Sequence, residues 1–214
     1  MIEDSLVKNL EGIMTPIQWI ILSAVILAVI LLLVLAVLLI GWQNRRRGVD
    51  GKKKVAAILR RFTGIRSFRV LNDLTIHTAK KDVTIDHVLI GFFGILVVNT
   101  QNLPGSVYGD GRGKTWTHVI TKKGREVKTS FPNPLLENQQ AVDAIREVLS
   151  ANSIYKINIE SWVVFTRRKA SLNVPKGLSV LTLKGFRKLL KRSKYSADGP
   201  VDVALVADTL SKAN

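Results

Sequence analysis

Cysteine is absent from the 214 residues, which excludes disulfides and thiolate-ligated metals and fits a reducing compartment. Histidine is nearly absent too: His77, His87 and His118 show no ligand spacing among themselves, so a zinc site is not expected. Acidic residues are sparse, 16 Asp and Glu against 32 Lys and Arg, for a formal net charge of +16. No Ser/His/Asp arrangement or cofactor box stands out, and GDGRGK, Gly109 to Lys114, lacks the spacing of a phosphate-cradling loop. Between Ile17 and Ile40 there is no charge of either sign.

That uncharged stretch, PIQWIILSAVILAVILLLVLAVLLI with Pro16 included, would form a helix about 36 Å long, enough to cross a hydrocarbon core of about 30 Å. Trp19 and Trp42 mark its two ends, as interfacial indoles do. It is too long for the apolar core of a secretory signal, and the residues before it are acidic rather than basic. Arg45, Arg46 and Arg47 follow at once, with Lys52, Lys53 and Lys54 soon after, whereas Lys8 is the only basic residue before the span. The positive-inside rule then predicts a single-pass cell-membrane protein with its N-terminus outside and the rest cytoplasmic, and makes Arg45, Arg46 and Arg47 candidates for contact with the membrane surface. The expected organisation is a short extracytoplasmic segment (1–16), a transmembrane helix (17–42), a basic juxtamembrane linker (43–50) and a cytoplasmic domain (51–214).

From Gly48 onward there are 28 Lys and Arg against 13 Asp and Glu, an excess of 15 positive charges. Anionic lipid and the phosphates of nucleic acid both attract such a surface, and charge alone does not separate them. GKKKVAAILRRF, Gly51 to Phe62, has helical apolar spacing. FRVLNDLTI, VTIDHVLIGF and GILVVNTQ read as strands, the last two joined through GFFG as a hairpin. TWTHVIT is expected to extend the same sheet, with a turn at KKGRE. Pro132 and Pro134 introduce a second helix through LLENQQAVDAIREVLSA; IESWVVFTR reads as a buried strand, SVLTL as one more, and GFRKLLKRSK as a basic amphipathic helix. Asp198 and Pro200 suit the start of a last helix. The order predicts a mixed α/β domain with a central mixed sheet flanked by helices.

GKKKVAAIL, NDLTI, TIDHVLIG, GILVVNTQNLPGSVYG and SFPNPLLENQQAVDAI occur in an order and spacing that resemble the nuclease-related domain (NERD) family, over about Gly48 to Phe165. The resemblance implies the restriction-endonuclease-like fold of the PD-(D/E)xK superfamily. In active relatives it implies a Gly-Glu pair opening the first helix, an aspartate in an Ile-Asp-His strand, and a Glu-x-Lys ending the next strand before an asparagine. Such carboxylates hold Mg²⁺, which demands hard anionic oxygens. By that correspondence Gly51, Asp86 and Asn102 are retained, whereas Lys52, Asn99 and Gln101 replace the two glutamates and the lysine. Asn133 and Pro134 keep an Asn-Pro motif, and Glu137 with Ala141 replaces a Gln-x-x-x-His pattern.

Asp86 is therefore expected to pair with Lys52 rather than to hold Mg²⁺, and Asn99 with Gln101, two apart on a strand, to share one face. Asp73, Asp82 and Asp110 are expected in turns or solvated loops, and His87 on the sheet face opposite Asp86. No cofactor is expected, and Asp86 alone would touch any metal. Lys52, Lys53, Lys54, Asn102 and Lys114 are candidate contacts for nucleic acid or another anion. Three functions compete: a catalytically inactive module binding nucleic acid or protein at the membrane, a scaffold subunit of a membrane complex with no nucleic-acid role, and an Mg²⁺-dependent nuclease with a rearranged site. The expected partners are the lipid bilayer, nucleic acid and other membrane proteins; no small-molecule substrate is evident.

Overall fold

The computed structural model describes residues 16–64, 66–78, 81–122 and 124–213, with the side chains of 16 and 37–48 left aside. The expected extracytoplasmic segment and the side chains of Arg45, Arg46 and Arg47 thus lie outside the described residues. Helix α1 is assigned to Pro16–Thr63, bounds that include the stretch expected as a linker. The chain divides into two units, Met1–Arg47 and Gly48–Asn214, each described by itself. In the first, Ile17–Ala36 has a mean hydropathy of 3.2 and none of it is buried, so it is long and apolar enough to cross a membrane.

The second unit is built on a five-stranded sheet in the order β1-β2-β3-β7-β9. Strands β1 (Arg69–His77), β2 (Asp82–Gly91) and β3 (Gly94–Gln101) form an antiparallel meander. The last two turn through Phe92 and Phe93, with Gly91 opposite Gly94. Gly94 has φ +119°, and a Cβ there would lie 2.2 Å from the carbonyl oxygen of Asn158, so only glycine fits. β7 (Ile159–Phe165) runs parallel to β3 and β9 (Val180–Thr182) parallel to β7.

Period-two alternation along β3 fixes both faces of this sheet. Ile95 and Val97 join Ile145 and Leu149 of α2 (Pro134–Ala151) and Val206 and Leu210 of α4 (Val203–Lys212) in one apolar cluster. Leu96 and Val98 join Val55 and Leu59 of α1, Phe186 and Leu189 of α3 (Leu183–Leu189), and Tyr195 in another. The strand is apolar on both sides because helices cover both sides. Asn99 and Gln101 continue the odd-numbered row and end up on the α2 side.

A second sheet, in the order β6-β5-β4-β8, contains β4 (Gly105–Tyr108), β5 (Thr115–Lys122), β6 (Arg125–Pro132) and β8 (Ala170–Asn173). Trp116 and Val107 pack from it against Phe165 and Val163 of the first sheet. The mixed α/β class holds, but β5 lies in this second sheet and does not extend the first. The cap of α4 also differs from expectation: Asp202, not Asp198, accepts from the Leu205 N–H at 3.0 Å. Pro200 precedes that cap and so stands outside the helix.

Candidate functional site

The ladder between β1 and β2 is interrupted at one place. Leu74 stands opposite Ile85 and Asn72 opposite His87, while Asp73 and Asp86 are left out of the pairing. Asp73 has φ 51°, a left-handed conformation that aspartate tolerates better than most residues. Side-chain alternation breaks there too: Ile85 and Val88 both join the cluster under α2 and α4. The break frees both carboxylates for Lys52. Its Nζ lies 2.8 Å from Asp86 Oδ1 and 2.6 Å from Asp73 Oδ1. The other oxygen of Asp86 accepts the Thr100 backbone N–H at 2.7 Å. Asp73 is thus not in a turn but inside β1, and it approaches Asp86 through the shared ammonium.

Lys52 reaches this position because α1 comes very close to the end of β3. A Cβ on Gly51 would lie 2.8 Å from Asn102 Cβ and 2.8 Å from Thr166 Oγ1. Asn102 Oδ1 accepts from that Thr166 hydroxyl at 2.8 Å. Burial is the largest influence on the Lys52 ammonium and opposes it, but the hydrogen bonds and charges of Asp73 and Asp86 together hold its pKa above the ordinary lysine range.

The expected pairing of amides is present, with an addition. Gln101 Nε2 donates to Asn99 Oδ1 at 2.9 Å, and Asn99 Nδ2 donates in turn to Glu137 Oε2 at 3.1 Å. Glu137 comes from the first turn of α2, whose start is set by Asn133: its Oδ1 caps the Leu135 N–H at 3.0 Å, and its Nδ2 donates to the Gly113 carbonyl at 2.7 Å. Burial pushes the Glu137 carboxyl above its usual range, the charge of Asp86 adds to this, and the Asn99 hydrogen bond and Lys81 oppose it. Together Lys52, Lys81, Asp86, Asn99, Gln101 and Glu137 line a cleft of about 360 Å³.

This donor set does not fit a divalent ion. Both oxygens of Asp86 are engaged by internal N–H donors, one of them a cation. Glu137 is tied to an amide, and among the described residues no cluster of three or more His, Cys, Asp or Glu could hold a metal. The histidines stand apart: His77 meets Asp82 at 2.8 Å, buried His87 meets Asn72 Oδ1 at 2.7 Å, and His118 meets the Pro104 carbonyl. Burial, opposed by the charges of Asp86 and Asp73, keeps the His87 pKa below its ordinary value. Asp110 stays in its loop, accepting from the N–H groups of Arg112 and Gly113, which hold its carboxyl low.

The five candidate anion contacts are not gathered at one place. Lys52 is held by carboxylates, and Asn102 is bonded to Thr166. Lys53 lines a groove with Arg60 and Arg69, Lys54 lines a different one, and Lys114 immediately precedes β5 of the second sheet. Sequence reasoning missed the roles of Asp73 and Glu137. The signals that could have found them are the Asn72-Asp73 pair, both tolerant of left-handed backbone, and the Asn133-Pro134 start, which fixes how the first turn of α2 faces β3.

A family model described as the nuclease-related domain matches residues 47–166, more than half of the chain. A curated relative, an uncharacterized protein of Bacillus anthracis, is 36% identical over 100 residues, which cover 46% of this chain and 45% of that protein. The match thus spans less than half the length of that relative. No solved structure matches.

Proposed function

The chain belongs to the nuclease-related domain family, whose wider setting is the PD-(D/E)xK superfamily, and from that premise we propose that it is a catalytically silent member acting as a binding module at the cytoplasmic face of a membrane. The observation that carries this reading is the engagement of Asp86: one oxygen on the Lys52 ammonium, the other on the Thr100 N–H. An aspartate so used meets a lysine ammonium where a metal site would present it to the ion, and a lysine between two aspartates is no substitute for an ion that polarises a phosphate. The ligand of the module is nucleic acid, bound through its phosphates by Lys53 and Arg60 of α1 and Arg69 of β1, which line one groove clear of the cleft's carboxylates. A helix long and apolar enough to cross a membrane supports the anchoring, and the Arg45 to Arg47 run after it supports the cytoplasmic side by the positive-inside rule.

Two measurements on the full chain in detergent test the reading. Plasmid incubated with Mg²⁺ or Mn²⁺ stays intact, and fluorescence anisotropy with a labelled oligonucleotide shows binding that weakens steeply as salt rises. Salt-insensitive binding to a copurifying protein, with none to nucleic acid, would favour the scaffold alternative. Glu137 supports a second reading, because it brings a second carboxylate into the cleft of Asp86. Cutting abolished by both Asp86→Ala and Glu137→Ala would establish that rearranged nuclease and sink the silent one.

A further inference from the structure

A groove of about 1210 Å³ is lined by residues of α1 and of α3 with the segment after it. Lys54, Arg60 and Arg61 stand on one wall, Arg187 and Lys191 on the other, and Arg66 lies between them. No carboxylate lines it, and among the described residues none of these six cations is in a salt bridge. Lys52, by contrast, has Asp73 and Asp86, and Lys194 has Glu160 at 2.7 Å. Crowded like charges repel, so a groove that gathers six cations without a carboxylate raises the local potential that draws an anion.

Its floor is not polar. Ala57, Ile58 and Phe62 of α1 and Leu190 after α3 lie between the basic walls. Lys54, Ile58 and Arg61 fall at spacings of three and four residues on α1, so that wall presents cations along the rim with an apolar side chain beneath. On the other wall, Arg187 of α3 and Lys191 just after it flank buried Leu190. Arg66 ties the walls together, donating to the Phe62 carbonyl at 2.9 Å and to Ser196 Oγ at 3.4 Å. Its guanidinium also lies 4.4 Å from the Phe62 ring centroid.

We propose that this groove is a binding site for the headgroup and upper acyl chain of an acidic phospholipid, the phosphate held by Arg61, Arg187 and Lys191 and the chain lying over Ile58, Phe62 and Leu190. Charge complementarity requires an anion, the floor requires one with an apolar part, and the same chain carries a helix long and apolar enough to cross a membrane. Single-stranded nucleic acid suits the groove less well. Such ligands stack successive bases on several aromatic platforms, and this groove is lined by a single aromatic residue, Phe62, among aliphatic side chains. The inference goes beyond the silent-nuclease reading and does not depend on it.

The test uses the full chain in neutral detergent, with phosphatidylglycerol or phosphatidylcholine added and retention read by native mass spectrometry. Phosphatidylglycerol is retained in preference. Arg61→Gln/Arg187→Gln/Lys191→Gln weakens its apparent affinity by about tenfold or more, since a well-placed cation contributes roughly fivefold. Ala57→Glu, which leaves every cation in place and adds a carboxylate to the floor, weakens it in the same direction. The charge-matched Lys122→Gln/Arg125→Gln/Lys128→Gln variant, altered on the β5–β6 hairpin, retains the wild-type preference, and glycerol 3-phosphate, a headgroup without chains, fails to compete. Equal loss in the hairpin variant, unchanged binding in both groove variants, or full competition by glycerol 3-phosphate overturns the proposal. An oligonucleotide whose binding the groove triple variant abolishes, with no discrimination between the lipids, assigns the groove to nucleic acid and overturns it as well.

Discussion

Lys52 and Arg61 belong to the same helix, yet their charges are handled in opposite ways. Lys52 is carried into a cleft where two aspartates meet it within hydrogen-bonding distance and a third carboxylate, Glu137, stands nearby. Arg61 lines a wider groove with five other cations and no acid at all. In the first region the chain supplies its own counter-charge, so the charges stabilise the fold and leave nothing for a ligand. In the second it withholds the counter-charge, so the charges strain the fold slightly and select for an anion. The basic excess read from composition averages over these two regimes and describes neither.

Substitutions can break that comparison, and the cleft should respond most. Asp86→Asn leaves the half-buried Lys52 ammonium with one aspartate instead of two, and is expected to cost about 1–2 kcal/mol, the scale of a charged hydrogen bond discounted for the solvent that reaches the pair. A lower urea midpoint at unchanged slope would show it; an unchanged midpoint would mean that the pair contributes no stability.

A smaller effect should come from Glu137→Gln, and it depends on pH. Because the folded carboxyl titrates above its usual range, its stabilising contribution is complete below the unfolded value and is lost as pH rises through the folded one. The glutamine variant, which can still accept from Asn99, should therefore match the wild type in acid. Near neutral pH it should exceed the wild type by less than about 1 kcal/mol, the scale of one neutral hydrogen bond. Thermal melts across that range would check the sign, and a variant less stable at every pH would contradict it.

The smallest effect should have the opposite sign to Asp86→Asn. Removing three groove charges with Arg61→Gln/Arg187→Gln/Lys191→Gln should leave stability unchanged or raise it by up to about 0.5 kcal/mol, because surface substitutions are mild and like charges are being separated. Any gain should fade as salt is raised. Clear destabilisation would mean that these side chains are paired in solution, and the contrast between the two regions would collapse.

The elements with strong periodicity were legible in the sequence. β3 opens as a near-continuous apolar run because helices cover both its faces, the buried ends of β2 (Val88 to Ile90) and β7 (Val163 to Phe165) read as short apolar runs, and α2 shows its buried stripe through Ala141, Ile145 and Leu149. Much of the second sheet was not legible. β6 is exposed along almost its whole length and carries no apolar alternation to reveal it, while β4 and β8 are four residues each, too short for a period to register.

At the site, the pairing of Lys52 with Asp86 follows from opposite charges at corresponding positions, and the contact of Asn99 with Gln101 follows from the two-residue period of a strand. The part played by Asp73 was hidden, because an aspartate after an asparagine reads as a turn, whereas here a single left-handed residue stays inside the strand. Glu137 was hidden for another reason. It read as a lost residue in a motif, and nothing local in the sequence says that the first turn of α2 leans over the end of β3.

Gly51 separates two kinds of constraint that a sequence mixes together. The helix backbone at that point rests almost directly on Asn102 and Thr166, so any bulkier residue acts as a wedge whatever reaction the neighbouring pocket performs. Position 52 has more latitude, since a different residue can be accommodated once its surroundings are rebalanced around it. Steric contact without slack therefore fixes position 51 through packing alone, whatever the adjoining cleft binds.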